Sequence, residues 1–342
     1  MDSTTDTTNI LDLEQPSRLY NLLNIIPFVI FVIVLIFVLL MRSSKVSFGE
    51  LWNTSIEKIN YKIENMQKDG FKVNVTYLYY MSYNQGKQEN IIKDNIAAFL
   101  DTIDHLYSYK ATNITDIINK NINNNYYLDN KVSLKLNQIG SNYKESLHNM
   151  KQILDYAKKH NLFVWIACHK HKDLDDEMET YLTLLNNGYK NVGLTLACYN
   201  NSINDRVDKI LDANGTVRLV KGYYKDGDIR DDKLITQNYL NNAYKLVEHY
   251  GYHQLATHDF KNVIHPLYLK YKNTKHDLET NDYLEFGFFY NALKHIKYHM
   301  KSYKINIKHK CCLVTYGNKM KYLKSNIRDV SLWKMFRLKT IL

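Results

Sequence analysis

Residues 205–220 read DRVDKILDANGTVRLV. Val207, Ile210 and Leu211 recur at the three- and four-residue spacing of a helix face, and Thr216–Val220 is a short apolar run rich in β-formers. The same alternation extends in both directions. Upstream runs are Val73–Leu78, Val132–Leu136, Phe163–Ala167 and Val192–Leu196; downstream ones are Gln254–Thr257, Tyr283–Phe288 and Cys312–Val314. Between them lie stretches with helical spacing, such as Tyr239–Leu246, YLNNAYKL. Eight strands alternating with helices predict a parallel barrel or a doubly wound sheet. The roughly 290 residues involved suit the barrel. The expected fold is α/β, a (βα)8 TIM-like barrel over residues 69–342, preceded by one N-terminal transmembrane helix. Residues 121–130, NINNNYYLDN, form a polar connector ahead of the second strand.

The transmembrane expectation rests on residues 22–41, LLNIIPFVIFVIVLIFVLLM, which hold no charge. Twenty helical residues rise about 30 Å, the thickness of a bilayer's hydrocarbon core. Pro27 falls in the first turns, where a missing N–H costs little. Residues 1–21 form an acidic N-terminal segment, with Asp2, Asp6, Asp12 and Glu14 against Arg18, unlike a basic transit peptide. Residues 42–68 read as a linker and helical lead-in. Arg42 and Lys45 follow the span, and positive flanks favour the cytoplasmic side. The expectation is a single-pass protein with its N-terminus outside and the barrel facing the cytosol. An uncleaved signal facing a lumen is the alternative.

The net charge is +10, carried mostly by lysine, with arginine at only seven positions. No block of five like charges occurs, and no zinc-finger or RNA-binding signature, so a solvated surface and no nucleic-acid partner are expected. The four cysteines, Cys168, Cys198, Cys311 and Cys312, form no CxxC pair and read as reduced thiols.

In such a barrel chemistry lies at the C-terminal ends of the strands. The residues there are Lys135, His169, Cys198, Lys221, Tyr223, Tyr224, His258, Asp259 and Tyr316. A cationic, aromatic rim of this kind suits an anionic ligand with a flat face. His169 and His171 at one strand end also raise a metal site, against the alternative of a solvated turn opening a helix with Asp173, Asp175 and Asp176.

Four segments carry a family resemblance. Residues 216–224, TVRLVKGYY, resemble the RLVKGAY strand of the flavin-dependent proline dehydrogenases. Residues 132–140, VSLKLNQIG, look like that family's lysine-bearing strand; residues 255–259, LATHD, resemble its ATHN or ATHD strand; and residues 283–290, YLEFGFFY, resemble its EFQMLYG strand. Residues 69–78 also look like the family's first barrel strand, and the similarity covers roughly residues 69–328. The resemblance implies FAD at the barrel mouth, hydride transfer from L-proline (or a similar cyclic amine) to give pyrroline-5-carboxylate, and electrons passed to a membrane quinone, which an anchor in the lipid bilayer would serve. It implies substrate contacts from Lys135, Tyr224 and Tyr322. Cofactor contacts would come from Arg218, Lys221, Gly222, Thr257, His258 and Asp259. Arg218 and Lys221 read alternatively as partners of a barrel carboxylate such as Glu285, itself read as a structural ion pair.

The departures are specific. The family's DAE strand end appears as Ala167-Cys168-His169, its QAY as Ala197-Cys198-Tyr199, and an expected tyrosine is Leu313. The arginine pair that grips the substrate carboxylate, YxxRR, appears as Tyr322-Leu-Lys-Ser325-Asn326. Removing one partner of a buried charge pair costs about 2–5 kcal/mol, so a substitute is required. Arg328, three residues after Ser325 and on the same helix face, is the expected one. Three readings follow: an active flavoenzyme, a flavin-binding barrel with a changed substrate, or a membrane-tethered scaffold. The C-terminal residues 331–342, SLWKMFRLKTIL, are basic and amphipathic and suit either a membrane surface or the barrel.

Overall fold

A computed structural model describes residues 54–78, 85–111, 130–168, 173–222 and 226–317. The span at 22–41, the histidines at 169 and 171, Tyr224, Tyr322, Arg328 and the C-terminal segment all lie outside these residues. Among the described residues no helix is long and apolar enough to cross a membrane.

The eight expected strands all form, as β1 (Lys72–Leu78), β2 (Lys131–Leu134), β3 (Phe163–Ile166), β4 (Val192–Ala197), β5 (Val217–Val220), β6 (His253–Ala256), β7 (Leu284–Phe289) and β8 (His309–Gly317). They pair in parallel, in chain order, into a closed barrel. Seven residue pairs, from Lys72↔Cys311 to Leu78↔Gly317, join β1 to β8 and leave no edge. Helices α1 (Asn60–Lys68), α2 (Gln85–Ala111), α3 (Leu136–Ile139), α4 (Tyr143–Lys159), α5 (Leu174–Asn186), α6 (Ile203–Asp212), α7 (Asp232–Glu248), α8 (His265–Tyr271) and α9 (Leu293–Ser302) occupy the connections. The lead-in ends in α1, whose Ile63 and Met66 are fully buried in the same core as the strands. Thr54 exchanges two backbone hydrogen bonds with Gly317, tying the start of this unit to the end of β8.

Strand boundaries moved where the pleat, and not hydrophobicity, decides. Residues 135 and 136 leave β2 because Lys135 begins α3, its backbone N–H held by the Gln138 side chain. Conversely, β8 runs nine residues and not three, because β7 pairs with it from His309 and Lys310 onward and β1 pairs with it from Cys311 to Gly317.

Alternation along each strand separates two cores. Outward residues such as Val75, Leu134, Val164, Leu194, Leu219, Leu255, Phe286 and Val314 are buried against the helices. The inward set is polar at its lower end. Lys131 on β2 and Glu285 on β7 meet at 2.9 Å with both side chains fully buried, and strands two and seven are not neighbours, so this bond crosses the interior. Glu285 also accepts from Tyr252 Oη (2.8 Å) and Gln254 Nε2. Glu285 is thus the structural ion pair expected of it, but its cation is Lys131. Neither Arg218 nor Lys221 is its partner.

Such a pair is stable only when every lone pair and proton is used. Lys131→Met alone should lower the unfolding free energy by about 3–5 kcal/mol in urea titrations, because it strands a buried carboxylate. Lys131→Met with Glu285→Gln should recover part of that loss.

Candidate active site

Above the Lys131–Glu285 floor, the next inward residues belong to Arg218. Its Nε donates to Thr195 Oγ1 at 2.8 Å and its Nη1 to Ser133 Oγ at 3.0 Å. Ser133 in turn donates to Asn74 Oδ1 at 2.9 Å. The guanidinium carbon lies 5.1 Å from the centroid of Trp165. Strand β5 contributes the arginine, β4 and β2 the hydroxyls and β3 the indole, so the cation is fixed by four strands. Arg218 is 7% exposed, and burial draws its pKa down to about 10. Its described hydrogen bonds go to neutral hydroxyls, which satisfy donors without neutralising charge. A buried cation held this way gains from an anion or a strong acceptor placed beside it.

Two residues further along each strand the inner face changes character. Ala167, Ala197, Ala256 and Gly287 follow Trp165, Thr195, Gln254 and Glu285 at the two-residue step. A Cβ at Gly287 would come within 3.0 Å of Gln254 and 3.2 Å of the Ala256 methyl. Small, apolar positions thus line the upper barrel on β3, β4, β6 and β7, where the family resemblance expected an aspartate at 167 and a glutamine at 197. Lys135 stands above Lys131 and Ser133 on the same inner face and is buried. Its backbone is fixed by Gln138, which itself donates to Tyr77 O and accepts from Asn95 through its own carbonyl.

The other expected cofactor contacts turn toward each other. Lys221 Nζ donates to Asp259 Oδ2 at 2.6 Å and to Thr236 Oγ1, on α7, at 2.7 Å. Asp259 Oδ1 accepts from the Asn262 N–H and so caps a five-residue π-helical turn, Phe260–Ile264. Burial pushes the Asp259 carboxyl up, but its bonds to Lys221 and Asn262 outweigh this and hold it below the usual range. Thr257 Oγ1 accepts from the Asp259 N–H. His258 Nε2 accepts from the Phe289 N–H at the end of β7, at 2.9 Å. This leaves its proton on Nδ1. Burial lowers the His258 pKa to about 4. Gly222 has φ +115°, and a Cβ there would sit 1.6 Å from the Tyr199 ring. On that face the missing side chain makes room for Tyr199, which Gly227 flanks from the other side.

Sequence reasoning missed Ser133, Trp165 and Thr195. The signal was available: each stands two residues before a position already singled out at a strand end, and so shares its face. All four cysteines are free, and burial raises the Cys168 thiol to about 11. Among the described residues no group of three or more metal-ligating side chains converges.

No family model matches the chain. Curated relatives do. Proline dehydrogenase 2 of Bacillus subtilis (strain 168) is 29% identical over 173 residues, covering 48% of this chain and 54% of that protein. Proline dehydrogenase 1 of Bacillus subtilis subsp. natto is 27% identical over 177 residues, covering 48% and 58%. The chain spans little more than half the length of these relatives. Among solved structures, proline utilization A from Bdellovibrio bacteriovorus, inactivated by N-propargylglycine, superposes with a TM-score of 0.65 at 16% identity, over 81% of this chain and 32% of that one. A variant of proline utilization A from Bradyrhizobium japonicum gives 0.61 at 16% identity, over 82% and 30%. These structures establish the shared barrel fold. The curated relatives, similar over about half of the chain, support its reading as a divergent relative of the proline dehydrogenases.

The site carries a pH signature. His253 is buried and His258 half-buried, and desolvation keeps both neutral, the former's pKa pushed down to about 3 by burial and by His249. The unfolded chain binds protons at these groups below pH ~6.5 and the folded chain does not. Stability should therefore be full above pH ~6.5 and fall by several kcal/mol, on the order of magnitude set by linkage, between pH ~6.5 and ~3. Urea unfolding across that window checks this, and His258→Phe should flatten part of the slope.

Proposed function

We propose that the barrel binds FAD at its C-terminal mouth and oxidises L-proline or a related cyclic amine to pyrroline-5-carboxylate. The observation that carries this reading is Arg218, a buried guanidinium held by two hydroxyls and an indole below small side chains on four of the strands. That donor set fits a flat group with electron-rich carbonyl edges, which flavin presents. FAD would supply the hydride acceptor, chemistry that no amino-acid side chain provides.

The chain's own residues do the rest. Arg218 is aimed from the barrel interior, so it stabilises negative charge without reorganising at the moment of reaction. The small residues at 167, 197, 256 and 287 leave the volume a planar ligand needs. Lys135, held by the start of α3, offers an ammonium for a substrate carboxylate. Arg328 would supply the second cation in place of the family's arginine pair, with Tyr224 and Tyr322 as aromatic walls. Residues 22–41 would anchor the protein in a bilayer with the barrel in the cytosol and a membrane quinone as electron acceptor, a reading supported by their uncharged composition and the basic flank at Arg42 and Lys45.

A second reading is favoured by Ala167 and Ala197. Both share the inner face with Arg218's partners, and neither can bond a substrate amine or a flavin edge. A flavin-binding barrel that takes a different cyclic amine would follow.

The full chain, purified in detergent, is expected to show flavin absorbance that bleaches on anaerobic addition of L-proline. Persistent bands would favour the changed substrate, and a colourless protein would end both readings. In an active enzyme, Arg328→Ala should lower kcat/KM for proline by roughly 30-fold or more, as expected for loss of a cation that pairs with a buried carboxylate. Arg218→Met should weaken flavin retention.

A further inference from the structure

Lys221, Thr257, His258 and Asp259 all match family positions assigned above to the cofactor, yet their side-chain bonds run along the barrel rim. Two of the three ammonium protons of Lys221 are used, on Asp259 and on Thr236. Both oxygens of Asp259 are used, one on Lys221 and one on Asn262. A pyrophosphate brought to this point would meet a neutralised pair, and drawing Lys221 away would leave the Asp259 carboxylate facing the phosphate. The Lys221–Asp259 bond instead links two strand ends, and the Thr236 bond ties the first of them to a helix. Lys221 immediately follows β5, Asp259 follows β6, and Thr236 lies on α7. The neighbouring His258 carries the link to β7 through the Phe289 N–H. Phe289 lies at the two-residue step above Glu285 and Gly287, so its side chain belongs to the inner wall of the mouth. The π-helical turn that Asp259 caps adds a second reason for a defined rim, because such turns are rare and local packing must hold them.

We propose that Lys221 and Asp259 form a clamp that sets the spacing of the β5, β6 and β7 ends, making Lys221 a positioning residue and not a ligand of the cofactor's phosphates. The clamp acts through His258 on Phe289 and through β5 on Arg218, which remains the direct contact. This inference rests on the reading of the mouth as a flavin site, but the clamp itself has a test that needs no flavin.

Amide hydrogen exchange on the full chain without added ligand supplies that test. Lys221→Met and Asp259→Asn should each speed exchange at residues 260–264 and at the Phe289 amide by about tenfold, as for loss of one charge-assisted bond. The double variant should go no further than either single one. Unchanged exchange at Phe289 and residues 260–264 in Lys221→Met overturns the clamp. Fluorescence titration with FAD then separates positioning from contact. The clamp requires both single variants to weaken FAD by a similar factor, and Lys221→Arg, which keeps the pair, to restore it. Weaker binding in Lys221→Met with unchanged or tighter binding in Asp259→Asn would make Lys221 a direct phosphate ligand and sink the proposal. If the unmodified chain binds no FAD, the flavin reading fails, and the exchange data alone uphold or overturn the clamp.

Discussion

The seven-pair register between β1 and β8 is the constraint on which the rest of the barrel depends. It satisfies the last backbone donors and acceptors of the sheet and seals an interior from water. Only in a sealed, low-dielectric interior does the Lys131–Glu285 bond have the strength to offset the desolvation of two charges. The pair then spans β2 and β7 and sets those strands against each other. Trp165, which packs edge-on against Phe163 and near Tyr252, fills the space beside it. A Cβ on Gly193 would clash with that indole, which is why the neighbouring strand carries glycine there.

Polarity inside the barrel is graded along the axis. The floor holds a compensated ion pair; the middle layer holds Arg218 on neutral partners; the upper layer has alanine or glycine on β3, β4, β6 and β7 and Lys135 after β2. That order separates the work of holding the barrel together from the work of receiving a ligand. A carboxylate beside Arg218 would make it part of the scaffold. Hydroxyls hold it in place and leave its charge available.

The rim solves a different problem. Strand ends open where the pleat stops, and residues 257–259 must leave β6 and enter a helix within a few positions. Asp259 does this by capping the π-helical turn with one oxygen and binding Lys221 with the other. His258 is neutral because of desolvation, and a neutral imidazole with a free Nε2 lone pair is what the Phe289 N–H requires.

The alternation of apolar runs with helical spacing determined the eight strands and their parallel sense, since each run must be buried and each connection must return over the sheet. Matching motifs likewise located Arg218, Lys135 and the Thr257–Asp259 strand end at one mouth. What a linear pattern could not decide was pairing across the interior. Arg218 and Lys221 stand three residues apart in one motif, yet parity sends the first into the barrel and the second toward α7. Glu285 finds Lys131, 154 positions away, and not the cations of the motif. The partner of a buried charge depends on which faces closure brings together, and that is settled by strand register and barrel shear, quantities that belong to the tertiary structure and leave no local trace in the chain.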